Sequence, residues 1–130
     1  MLRQTRIAAI AVLLAAACLG SGLAAQADAK RPHKCITRLI IDRQEDENGN
    51  DSPYLKVNTK FWEVDSLKQD VWHTVFRTVR VGDEVKAYDY DALDPDDLID
   101  SDVVKGFTRG TLVFVGDDAK YRAKYRSGAC

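Results

Sequence analysis

Apolar positions in this chain alternate with polar ones and do not recur at helical spacing. Between residues 72 and 81, His73, Val75, Arg77, Val79 and Val81 fall on one side, and Thr74, Phe76, Thr78 and Arg80 on the other. That is the period-two pattern of a strand. Residues 35–41 and 54–62 are rich in β-branched and aromatic side chains and read as two more strands. Further strands are predicted over 85–90, 103–107, 111–115 and 119–125, split by Gly82-Asp83, Gly110 and Gly116-Asp117-Asp118. One helical turn is expected at 64–71 or at 96–101. Strands at about ten-residue spacing predict an all-β antiparallel sandwich of about seven or eight strands. Trp62, Trp72 and Phe76 are expected in its core, and His73 is expected to be an ordinary strand residue.

The pattern changes before residue 30. Arg3 and Arg6 precede an apolar run over 7–19, shorter than the roughly 20 residues of a spanning helix. Ala25-Gln26-Ala27 and Ala27-Asp28-Ala29 each fit a small-x-small cleavage site. Residues 1–27, or alternatively 1–29, therefore read as a secretory signal peptide, followed by a flexible leader over 28–34 and a folded domain over 35–130. Export to the periplasm or the extracellular space is expected. Lipid attachment through Cys18 is disfavoured, because Ala15 stands where the attachment pattern wants Leu.

Composition narrows the function classes. Lys and Arg number 19 against 20 Asp and Glu, so the whole molecule has no field to draw nucleic acid. Three Cys and two His exclude a zinc ribbon, which needs four ligands at paired spacings. After export, Cys35 and Cys130 are the remaining thiols, and an even pair in an oxidising compartment predicts one disulfide.

The acids are uneven. Five fall between residues 42 and 51 beside a single Arg, and nine between 83 and 102 beside a single Lys, a net charge of −8 in the second segment. Such crowding is self-repulsive unless a cation sits among the carboxylates, and hard oxygen ligands without Cys or His point to Ca²⁺. Asp46, Asn48 and Asn50 match the first, third and fifth positions of an EF-hand loop. The required Gly and the final Glu are missing at Asp51 and Val57, so that reading fails.

Residues 46–57, DENGNDSPYLKV, and 85–99, VKAYDYDALDPDDLI, resemble the first and third calcium loops of C2 domains, specifically a small, shortened, exported bacterial form. Here Asp51-Ser52 inverts the usual Ser-Asp order, and Asp100 replaces the usual Gly. The resemblance implies an antiparallel β-sandwich holding Ca²⁺ between loops at one end. It makes Asp46 and Asp51 first-loop ligands, Asp89, Asp91 and Asp97 third-loop ligands, and Asp94 an auxiliary one. The loop tips are polar apart from Leu93, so membrane docking is not expected.

Lys120, Arg122, Lys124 and Arg126 alternate with Tyr121, Ala123 and Tyr125. The cations read either as an anion- or partner-binding stripe or as the guard of an edge strand against aggregation, and the edge reading is preferred. No nucleophile is placed with a base and no phosphate loop is present, so no catalysis is expected. The resulting expectation is a secreted calcium-binding C2-like module. Its partner would be an extracellular protein, a polysaccharide or an envelope component. The alternative is a secreted inhibitor or antagonist that acts through exposed loops or the basic strand.

Overall fold

The alternation resolves into two sheets. The computed structural model describes residues 30–44, 51–90 and 97–130, and every strand lies in the unit Pro32–Cys130. The described residues of that unit form no helix. The strands are β1 (His33–Arg43), β2 (Pro53–Val57), β3 (Thr59–Glu63), β4 (Trp72–Arg80), β5 (Glu84–Asp89), β6 (Asp97–Val103), β7 (Arg109–Val115) and β8 (Lys120–Ser127). They pair antiparallel in the orders β4-β1-β8-β7 and β3-β2-β5-β6. Ile36, Leu39 and Ile41 of β1, Leu112 and Phe114 of β7, and Tyr121, Ala123 and Tyr125 of β8 form one buried cluster with Leu55, Val85, Ala87 and Ile99 of the other sheet. The fold is therefore an eight-stranded β-sandwich with its core between the sheets.

Cys35 and Cys130 are disulfide-bonded, Cα atoms 4.9 Å apart, and tie the first strand to the last residue. β1 begins at His33, inside the segment expected as leader. Lys34 is buried, and its ammonium donates to the Phe107 carbonyl at 2.7 Å and to Ser127 Oγ at 2.8 Å.

Several expectations are corrected. Residues 54–62 are not one strand but the β2–β3 hairpin, turning at Asn58, whose φ is +60°. The helical turn at 64–71 is replaced by a loop in which Leu67 bridges to Asp51, and Ser66 and Asp70 take left-handed φ values that an α-helix cannot contain. Residues 97–103 are a strand, where a helical turn was expected at 96–101 and a strand only from 103.

Trp62 is buried as expected, but Phe76 is 52% exposed and Trp72 lies half-buried on the outer face. The cause is a β-bulge. The pairs Ile36↔Arg77 and Arg38↔Thr74 leave Val75 and Phe76 together opposite Thr37, and Phe76 takes φ +51°. The extra residue resets the alternation, sending Val75 inward and Phe76 to solvent. Finally, β8 is no edge strand. It lies between β1 and β7, so its cations do not guard an edge.

Candidate functional site

The strand register gathers part of the acidic set at one end of the sandwich. Pro53 of β2 pairs with Asp89, the last residue of β5, and Asp89 pairs with Asp97, the first residue of β6. Directly opposed residues project to the same face. On β5 that face also carries buried Val85 and Ala87, so Asp89 points between the sheets. Asp51 precedes Pro53 by two positions and is likewise buried. Exposure is 1% at Asp51 and 3% at Asp89, whereas Asp97 is exposed.

Each buried carboxylate also serves the local frame. Tyr121 Oη donates to Asp51 Oδ2 at 2.6 Å, and the Ser52 N–H donates to Asp89 Oδ1 at 2.7 Å. The frame is closed by main-chain bonds. Tyr90 N–H donates to the Ser52 carbonyl at 3.0 Å, and Leu67 N–H to the Asp51 carbonyl at 2.8 Å. Ser66 N–H donates to Ser52 Oγ at 3.1 Å. The β2 entry, the β5 exit and the 64–67 loop are thus held together by bonds that all pass through Asp51, Ser52 or Asp89.

Asp46, Asp91 and Asp94 lie outside the described residues. Their described flanks, Gln44 and Asp51 on one side and Tyr90 and Asp97 on the other, are at this same end. Among the described residues, no three His, Cys, Asp or Glu side chains gather into a metal-holding group. Asp51, Asp89 and Asp97 are oxygen donors of the type Ca²⁺ takes. The donor chemistry fits the ion, and the three described carboxylates would need the loop acids to complete a shell.

Other acids in the charged run have a different use. Asp83 Oδ2 accepts the Arg80 N–H at 2.8 Å. Asp100 Oδ2 accepts the Val115 N–H, and Asp102 Oδ2 the Val113 N–H, each at 3.0 Å. Backbone donors thus offset part of the repulsion that the charge count assigned wholly to a cation. The sequence did not reveal this, because the donors of the last two bonds lie on β7, eleven or more residues away.

The basic residues of β8 occupy the outer face of the other sheet. Arg122 forms a two-bond pair with Asp42, Nε to Oδ2 at 2.6 Å and Nη2 to Oδ1 at 2.8 Å. These hydrogen bonds hold the Asp42 carboxyl below its ordinary pKa against the opposing effect of partial burial, and they raise that of Arg122. Arg38 and Lys124 stand over the Trp72 ring at 4.7 and 4.9 Å from its centroid, with Arg122 at 5.7 Å. Lys124 and Arg126 border an open cleft of about 580 Å³ whose walls also include Thr37, Arg38, Arg109 and Thr111. The stripe expected from the sequence is therefore divided. Arg122 is neutralised, whereas Lys124 and Arg126 join cations from neighbouring strands that the single-strand pattern could not place beside them.

Compared with known proteins, the chain matches no family model and no curated protein.

Proposed function

We propose that the protein is an exported binding module, similar to a C2 domain, whose acidic end is ordered by Ca²⁺. The observation that carries this reading is the register that aligns Pro53, Asp89 and Asp97 across three adjacent strands, with Asp51 two residues from the first. Asp51, Asp89 and Asp97 would hold the ion together with Asp46, Asp91 and Asp94. The ion would supply positive charge where a net −8 accumulates over residues 83–102. Asp51 and Asp89 would link that charge to the frame, since the same carboxylates bind Tyr121 and the Ser52 N–H. Ion binding would then stabilise that end of the sandwich.

Export is supported by the amino-terminal pattern and agrees with the Cys35–Cys130 disulfide. The role is binding, with no catalytic step assigned to any residue. Calorimetric titration of the exported protein tests the reading. Extracellular modules hold Ca²⁺ with Kd on the order of 10⁻⁴–10⁻³ M, so saturable heat in the millimolar range is expected with Ca²⁺, and absence of heat would refute it.

A further inference from the structure

We propose that the outer face of the β4-β1-β8-β7 sheet binds the phosphate groups of an anionic polymer, in the cleft bordered by Arg38, Arg109, Lys124 and Arg126. The register of this face is the first ground. Arg38 pairs with Lys124 across β1–β8, Arg109 with Arg126 across β7–β8, and Arg43 with Lys120. Like charges directly opposite one another on a sheet face are destabilising, and here the arrangement occurs three times on one face. Among the described residues, no carboxylate forms an ion pair with Arg38, Arg109, Lys124 or Arg126, whereas Arg122 has Asp42. A chain with a net charge of −1 thus concentrates unneutralised positive charge in one cleft.

The chemistry of the cleft selects the ligand. Three of its four cations are guanidiniums, whose planar fork matches the oxygens of phosphate in two-bond contacts. Alternate residues of a strand stand roughly 6.6–6.8 Å apart, so successive rows of cations suit a polymer carrying charge at intervals along its length. The Trp72 ring is faced by Arg38, Lys124 and Arg122, so it steadies cations and offers no open surface for a base to stack on. A peptide adding as a strand beside β7 meets Val113 and Val115 N–H groups already bonded to Asp102 and Asp100.

The test uses linear inorganic polyphosphate as probe, with the full exported chain and a calcium chelator present, so the result does not depend on the acidic end. Polyphosphate should bind with a log–log salt slope of about −2.8 to −3.6, set by four cationic contacts. Affinity should then fall roughly 50–150-fold between 50 and 200 mM salt. Replacing Arg109→Thr together with Arg126→Thr should reduce the slope by about 1.4–1.8, while the melting temperature without polymer stays level or rises because a like-charge pair is gone. Lys68→Thr, an exposed cation outside the cleft, should change neither. Equal binding of poly-glutamate or heparin would overturn the phosphate assignment, as would equal binding of orthophosphate at matched phosphate concentration. A double variant that melts lower while binding polyphosphate as before would assign these arginines a purely structural role and overturn the proposal.

Discussion

Gly110 pairs with Tyr125 across β7–β8, and a Cβ built at Gly110 would land on the Tyr125 ring. That ring is buried, and its hydroxyl accepts the Lys105 N–H at 3.3 Å, so it cannot swing away without leaving a donor and a core position behind. Overpacking of this kind costs about 1–3 kcal/mol. Gly110→Ala should therefore lower the melting temperature, by about 4–8 °C for each kcal/mol lost in a domain of this size. Gly106→Ala, where nothing lies within 4 Å of the added carbon, should melt like the parent. From the sequence, Gly110 reads only as a separator between strands. Its packing role depends on a partner fifteen residues away. The buried carboxylates have the same history, since Asp51 owes its place to Tyr121, seventy residues on.

Among the elements, those that alternate cleanly were legible. The strands expected over 111–115 and 119–125 correspond to β7 and β8, and 85–90 to β5, each within two residues of the observed bounds. β6 was not legible, because three of its seven residues are Asp, a residue depleted in strands, and a helical turn was expected over most of it. Two of those acids hold β7. The β7 edge would otherwise offer free N–H groups for pairing with another chain, and Asp100 and Asp102 occupy those of Val115 and Val113. Replacing both with Ala should cost about 0.5–1.5 kcal/mol per bond and open the edge. Size-exclusion chromatography at rising concentration should show self-association in the double variant and not in the parent. The bulge at Thr37 was equally hidden, because neither Thr37, Val75 nor Phe76 is a residue that advertises a turn. The central place of β8 depends on pairing with β1, some eighty residues earlier, which no local pattern records.

For the whole molecule, the disulfide closes a loop of 95 residues. Loop-entropy reasoning assigns such a bridge roughly 4–5 kcal/mol, less any strain. That is a large share of the stability of a small domain, about 5–15 kcal/mol in total. Replacing Cys35 and Cys130 with Ala should lower the denaturation midpoint sharply and raise the slope against denaturant, because the denatured chain without the bridge exposes more surface. The disulfide was legible as the even pair of thiols outside the segment read as a signal peptide, and the sandwich as the run of alternating segments. The acidic end was legible only in its composition and in the spacing of its loops. Its described half proves to be a hydrogen-bonded frame through Asp51, Ser52 and Asp89, and its loop acids lie outside the described residues.

The most direct test of the calcium-ordered end is thermal melting of the exported protein in millimolar Ca²⁺ against chelator, repeated for Asp97→Asn and Glu63→Gln. Asp97 is exposed and is therefore the candidate ligand whose replacement least disturbs packing. Glu63 meets Lys60 at 2.7 Å on the surface and serves as the acid outside the site. Binding to the folded state alone stabilises by RT ln(1 + [L]/Kd), about 2.7 kcal/mol at a hundredfold excess over Kd and less at a smaller excess. The parent and Glu63→Gln should melt higher with Ca²⁺ and return with chelator, and Asp97→Asn should show a smaller rise. Melting indifferent to millimolar Ca²⁺, or an equal rise in all three proteins, would contradict a calcium-ordered end and leave its carboxylates as frame and surface.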